Sequence, residues 1–285
     1  MSRSLGIGLA QLVASPYAVE ENLTRAANAV TSAFADGANL VVLPEMMVPG
    51  YVVDRQRLLP IAEPVPGPTT EAWGELAMRG GGYVVGGLCE RVGEVLYNSA
   101  VVVGPDGKVI GHYRKTHLFG VEKQVFAPGD LGFPLVPTDY GVIGLCVCYD
   151  LRFVEVVRLM ALQGAELICV PTAWIVGFDE LRWDSEGMSP QGRVSEVQAN
   201  LNQVYIAAAS QVGSHDEFEF LGSSILIGPR GNRTIGPLPG KEEEVAVALI
   251  DLDETTRAQN RSALVTPRAD RRTDIYGVAV DGRVL

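Results

Sequence analysis

Histidine and cysteine are scarce in this 285-residue chain, at three and four residues. A closed metal centre wants about four ligands, usually from two paired motifs. Cys146 and Cys148 form one pair, but Cys89 and Cys169 stand alone in apolar runs, and no histidine pair lies at ligand spacing. Neither a metal nor another cofactor is expected. Long apolar runs are also missing, since none approaches the roughly 20 residues that cross a bilayer. Gln11 interrupts the short apolar stretch at the amino end, which reads as a buried strand rather than an export signal. Basic residues are in deficit, 23 against 34 acidic ones, for a net charge of -11. Such a surface repels phosphate backbones and anionic headgroups, so neither nucleic acid nor membrane is an expected partner. The cysteines sit in or beside apolar runs, as reduced thiols of a cytoplasmic protein do. No linker, charge block, internal repeat or low-complexity tract divides the chain.

What is present is a soluble globular balance, 47% hydrophobic and 20% charged. Apolar runs predict strands over 5–12 and 40–43, around a helix over 20–36 whose apolar residues recur at helical spacing and which Gly37 ends. A helix over 69–79 follows, then strands over 83–90, 99–103 and 109–113, the last two joined by the turn at Pro105-Asp106-Gly107-Lys108. Further strands are expected over 135–137, 142–147, 167–170, 205–210, 224–227 and 245–249, with helices over 153–163 and 193–202. Two hydrophobic strand sets need cover, and two sheets packed face to face with helices outside provide it, an α/β class.

Candidate chemistry starts with Cys148, where a strand runs toward a helix. Helix N-terminal amides there would lower a thiol pKa and help stabilise an oxyanion; the alternative is an ordinary core cysteine. A Cys-His pair is one way to activate a thiol, but His112, His117 and His215 carry no flanking pattern that singles one out. Glu45 follows a strand through Pro44 among apolar neighbours, where burial would raise its pKa and suit it to proton transfer. Lys115, just after a strand, could hold a negative oxygen, and Glu122 lies a few residues on. Taken singly, each of these three reads better as an ordinary surface residue.

Their joint context decides between the readings. Pro44-Glu45 with Gly50-Tyr51, Tyr113-Arg114-Lys115-Thr116-His117-Leu118, Glu122 through Phe126 to Pro128-Gly129-Asp130, and Cys148-Tyr149-Asp150-Leu151-Arg152-Phe153 occur in one order along the chain. In these segments the sequence resembles the nitrilase (carbon-nitrogen hydrolase) superfamily. The resemblance implies a four-layer α-β-β-α sandwich of two mixed sheets, pairing as a homodimer or higher oligomer. One hydrolase domain over 1–260 is expected, with 261–285, which shows no clear core pattern, as a C-terminal tail that packs on a partner subunit. The resemblance also implies a Glu45-Lys115-Cys148 catalytic set supported by Glu122, with the Tyr149 backbone N–H as a second oxyanion donor.

Members that are true nitrilases usually carry tryptophan and glutamate after the nucleophile, where this chain has Tyr149-Asp150, so the amidase branches fit better. Carbamoylases usually carry a more basic pair there, and here Leu151 leaves Arg152 as a single cation. Tyr51 and Trp174, the latter in Pro171-Thr172-Ala173-Trp174, would wall an acyl pocket. The expected substrate is a small aliphatic or amino-acid amide. The alternatives are an N-carbamoyl amino acid amidohydrolase, a nitrilase, an acyltransferase, and a non-catalytic interaction protein on the same scaffold.

Overall fold

The computed structural model describes residues 3–179, 183–216, 218–280 and 282–285. The chain opens β1 (Ser4–Gln11), α1 (Val19–Ala35), β2 (Leu40–Val42), α2 (Arg55–Leu58), α3 (Pro68–Gly80) and β3 (Tyr83–Val92). It continues through β4 (Val95–Val103), β5 (Val109–Arg114), β6 (Leu135–Pro137), β7 (Val142–Leu145), α4 (Val154–Leu162) and β8 (Leu167–Thr172). Next come α5 (Pro190–Asn202), β9 (Tyr205–Ser210), the short pair β10 (Ser214–His215) and β11 (Phe218–Glu219), β12 (Ile225–Ile227) and β13 (Arg233–Ile235). The last elements are β14 (Glu244–Asp251), α6 (Asp253–Gln259), β15 (Ala279–Val280) and β16 (Arg283–Val284).

Two six-stranded sheets result, in the orders β14-β1-β2-β3-β4-β5 and β13-β12-β9-β8-β7-β6. Both are mixed. In the first, β1, β2 and β3 run parallel and are flanked by antiparallel partners. In the second, β7, β8 and β9 are parallel and the rest antiparallel. The sheets face each other, with α1 and α3 against the first and α4 and α5 against the second. This is the expected four-layer sandwich.

Side-chain alternation explains the layering. Ile7, Leu9, Leu40, Val42, Val85 and Val102 point between the sheets. Their neighbours Ala10, Val41, Leu43, Val84, Val101 and Val103 point to the helices. A one-residue slip would turn each inward side chain around, at about 1.5–3 kcal/mol for each one exposed, so the register is well determined. Helix α1 lies close because it presents Ala26, Ala29 and Ala33, and because Gly8 faces it. A Cβ at Gly8 would come within 3.0 Å of the Ala33 Cβ.

Element edges differ from expectation at instructive places. β3 and β4 extend to meet in a two-residue hairpin at Gly93-Glu94, with Val92 paired to Val95 and Gly93 at φ 59°. Glycine at the first loop position is a weaker sequence signal than Asn-Gly or Asp-Gly. α5 begins at Pro190, with the Ser189 hydroxyl accepting from the Gly192 N–H at 3.1 Å. β7 stops at Leu145, earlier than the apolar run suggests. α2, β13 and α6, not foreseen, lack a sustained apolar period. In the tail, the Arg268 guanidinium donates to the Ala161 and Asn202 carbonyls at 2.8 and 2.7 Å, tying the tail to the ends of this chain's own α4 and α5. No helix among the described residues is long and apolar enough to cross a membrane.

Candidate active site

The candidate residues come from the ends of strands in both sheets, where open sheets place their sites. Glu45 follows β2, Lys115 follows β5, and Cys148 follows β7 through Cys146 and Val147. Two glycines let these segments approach. A Cβ at Gly87 would lie 2.6 Å from the Met46 nitrogen and 2.7 Å from the Glu45 Cα. One at Gly129 would lie 2.0 Å from the Arg114 carbonyl oxygen, and the Gly129 N–H donates to the Lys115 carbonyl at 2.9 Å.

Glu45, Lys115 and Glu122 are fully buried together. Lys115 Nζ donates to Glu45 Oε1 at 2.7 Å and to Glu122 Oε1 at 2.8 Å. An ammonium has three donors; the carboxylates take two, leaving one to meet a substrate oxygen. Glu45 divides its own oxygens. Oε1 accepts from Lys115 and, at 2.7 Å, from the Asn98 amide, whereas Oε2 accepts from the Ala173 N–H at 2.9 Å. Cys148 lies within reach of the charges of Glu45 and Lys115 and next to Thr172 and Ala173. Glu122 is braced by the Tyr51 hydroxyl at 2.9 Å and the Phe119 N–H at 2.7 Å.

The charges follow from this packing. Burial raises the Glu45 pKa; Lys115 opposes that and Glu122 adds to it, and the net direction is up. Burial works against the Lys115 charge, but Glu122 and Glu45 overcome it and hold the ammonium pKa well above its usual value. Burial, then Glu45, push the Cys148 thiol up against the opposing pull of Lys115, Thr172 and Ala173. This corrects the expectation of a lowered thiol pKa. The reason is local: a 3-10 turn, Cys148–Arg152, separates the sulfur from α4, so the thiol does not sit on that helix's N-terminus. A thiol shifted in this direction would need a base to act as a nucleophile.

Cys148 is held in the left-handed region, at φ 47°, as is Met46 next to Glu45. Such strain costs on the order of 1–3 kcal/mol per residue and persists where the surroundings enforce it. Asp150, unrecognised in the sequence as a site residue, does the enforcing at Cys148. Its Oδ2 accepts from the Val147 N–H at 2.9 Å and the Tyr113 hydroxyl at 2.8 Å. Its Oδ1 accepts from the His117 N–H at 3.0 Å and pairs with His117 Nδ1 at 2.8 Å. One carboxylate thus fastens the turn before the nucleophile to the segment after Lys115. In Asp150→Asn the amide NH2 would oppose two donors, at about 1–3 kcal/mol for each group left unmatched. We expect a lower melting temperature and a roughly 10–100-fold fall in kcat with a smaller change in KM, as misplacement of a reacting group produces. Wild-type kcat and melting temperature in this variant would remove Asp150 from that role.

Asn98 is the second residue that sequence reasoning missed. It is buried on β4 and also reaches Glu122 Oε1 at 3.3 Å, bridging the two carboxylates. The histidines go elsewhere. His112 pairs with Glu90 at 2.8 Å, His117 serves Asp150, and His215 packs on Phe218 and Phe220. The charged groups acting on the thiol are Glu45 and Lys115. Among the described residues, no three His, Cys, Asp or Glu side chains cluster as metal ligands.

Cys148 opens on a cleft. All four expected substrate-contacting residues, Tyr51, Tyr149, Arg152 and Trp174, line it, and Phe119 and Phe178 add two further aromatic walls. Arg152 is not bare: its Nη2 donates to Asp179 Oδ2, and its guanidinium lies 4.8 Å from the centre of the Phe178 ring.

Two mixed sheets between helix layers are the fold of solved amidases from the nitrilase superfamily. The chain belongs to the carbon-nitrogen hydrolase family, whose model matches residues 6–260, and is a hydrolase acting on the carbon–nitrogen bonds of non-peptide amides. A nitrilase from Pyrococcus abyssi is 37% identical over 259 residues, covering 90% of this chain and 93% of that protein. An omega-amidase from Xenopus tropicalis is 32% identical over 285 residues, covering 95% and 96%. Among solved structures, the amidase from Nesterenkonia sp. AN1, in a mutant with the acetamide moiety of fluoroacetamide added covalently at its active-site cysteine, matches with a TM-score of 0.77 at 25% identity. The match covers 96% of this chain and 95% of that one.

Proposed function

We propose that the chain hydrolyses a small aliphatic or amino-acid amide to a carboxylic acid and ammonia through a cysteine thioester. The observation that carries this reading is the gathering of Glu45, Lys115 and Cys148 at one end of the sheets, with Lys115 Nζ on Glu45 Oε1 and the charges of both acting on the thiol. As Cys148 Sγ forms its bond to the amide carbon, its proton passes to Glu45. The carbonyl electrons move onto oxygen, where the third Lys115 N–H and the Tyr149 backbone N–H hold the oxyanion. Each such donor contributes roughly 3 kcal/mol of transition-state stabilisation. Collapse breaks the carbon–nitrogen bond, and Glu45 returns its proton to the leaving nitrogen. Glu45 then takes a proton from water as that water attacks the thioester. The acid leaves and the proton goes back to the sulfur. A raised carboxyl pKa suits this two-way traffic better than an ordinary one.

The test is a panel of amides, nitriles and N-carbamoyl amino acids scored by ammonia release, with a pH profile for the best substrate. Because the Glu45 pKa is raised above that of an ordinary glutamate, the acid limb of kcat/KM has its midpoint above pH 4.5. Because the Lys115 pKa lies well above 10.5, no loss of activity from its titration appears below that pH. Glu45→Gln is expected to lower kcat/KM by roughly 10²–10⁴ and abolish the acid limb. An intact rate and profile in that variant would strip Glu45 of the role. Nitriles turned over in preference to every amide would favour nitrilase chemistry instead.

A further inference from the structure

Within that amidase reading, we propose that Asp179 is a specificity-determining residue: by neutralising Arg152 it excludes amides whose acyl portion carries a carboxylate. Arg152 is the only Lys, Arg or His side chain among the described residues lining the cleft. Lys115 is already paired with Glu45 and Glu122. The wall around Arg152 is otherwise apolar or aromatic, with Gln191 as the other polar contributor. A lone guanidinium in such a place would be a strong carboxylate receptor, because its fork matches the two oxygens and the surroundings are poorly hydrated.

Here the receptor is occupied from within the chain. Asp179 accepts from Arg152 Nη2, and the Phe178 ring holds the guanidinium from its face. Both members of the pair are shielded, their side chains 27% and 16% exposed. An incoming carboxylate must either displace Asp179, leaving that side chain without its partner, or share the guanidinium with it, bringing two negative groups together. An uncharged acyl chain meets no such repulsion and gains contact with the aromatic walls. The one cation after Cys148 is therefore matched within the chain rather than left for a substrate carboxylate.

The test compares butyramide with succinamate, similar chains differing in a terminal carboxylate. In wild type, kcat/KM favours butyramide. In Asp179→Asn the succinamate-to-butyramide ratio rises at least about tenfold, and the rise disappears in Arg152→Gln/Asp179→Asn. The same ratio is read as equilibrium binding in the Cys148→Ala background, where no turnover is required. A shift in the binding ratio without detectable amide hydrolysis in wild type would refute the amidase reading and leave this inference standing. An unchanged ratio in Asp179→Asn overturns the inference. So does a wild type that already prefers succinamate and loses that preference in Arg152→Gln.

Discussion

Cys148→Ala is expected to lower kcat for amide hydrolysis by about 10⁴-fold or more while the melting temperature stays close to wild type. The size of the loss follows from the chemistry. Without the sulfur no thioester forms, and a buried carboxylate is left to direct water at an unactivated amide. The small structural cost follows from position: the thiol faces a cleft, and alanine at φ 47° bears much the same strain as cysteine. Cys148→Ser makes a sharper variant. In the proposed mechanism Glu45 must deprotonate a thiol whose pKa is already pushed up, and a hydroxyl, a much weaker acid, asks more of the same base. Serine should therefore be nearly as inactive as alanine. Iodoacetamide with peptide mapping supplies an independent measure, since Cys89, Cys146 and Cys169 are buried and Cys148 is partly exposed. Label confined to Cys148, with activity lost in proportion, is the expected outcome. Turnover at the wild-type rate in Cys148→Ala would end the case for a thioester, and an unreactive Cys148 would favour a non-catalytic scaffold.

The fold and the charged centre were readable from the sequence for different reasons. The sandwich follows from alternation: Ile7 and Leu9 must face one layer while Ala10 faces another, and 2-residue periodicity carries that along the chain. Glu45, Lys115, Glu122 and Cys148 were readable because each stands in a recognisable local segment. Asn98 and Asp150 were not, because their roles depend on distant partners. Asn98 meets the two carboxylates only because β4 pairs with β5, where the Lys115 N–H donates to the Asn98 carbonyl at 2.8 Å. The available signal was a polar Asn98-Ser99 pair interrupting a strand with Val101 to Val103 beyond it. Asp150 lay inside a quoted motif, yet its function is to reach Val147, Tyr113 and His117 at once, and no spacing rule encodes that convergence. Arg152 is the clearest instance. Its type and position suggest an anion receptor, and only the return of the chain at Asp179 shows the charge to be matched. The thiol misled for a related reason: the sequence places a helix after Cys148, but the 3-10 turn between them moves the helix dipole away from the sulfur.

Lys115→Met should damage the protein in two ways that can be told apart by pH. In the wild type one ammonium holds Oε1 of both Glu45 and Glu122, with all three side chains excluded from water. Removing it deletes an oxyanion donor, worth roughly 10²–10³ in kcat. It also leaves two buried carboxylates facing each other through Asn98, a circumstance that forces one to take up a proton. If Glu45 takes that proton, the base is lost at neutral pH, so the deficit in kcat/KM exceeds the oxyanion figure near pH 7 and narrows as pH rises. Stability moves the other way. In the variant the folded-state pKa of this pair lies above the unfolded carboxylate value, so the native state binds more protons than the unfolded chain across that window. Stability relative to wild type is then least impaired below the unfolded value and falls as pH rises through the folded one. The full loss for an unmatched buried charge is about 3–5 kcal/mol. The measurement is the difference in melting temperature between wild type and Lys115→Met at pH 5 and pH 8, beside kcat/KM at the same two values. A larger thermal deficit at pH 8 with a smaller kinetic deficit there is the expected crossing, whereas deficits that both ignore pH would mean that Glu45 and Glu122 do not share the lysine's charge as the structure arranges it.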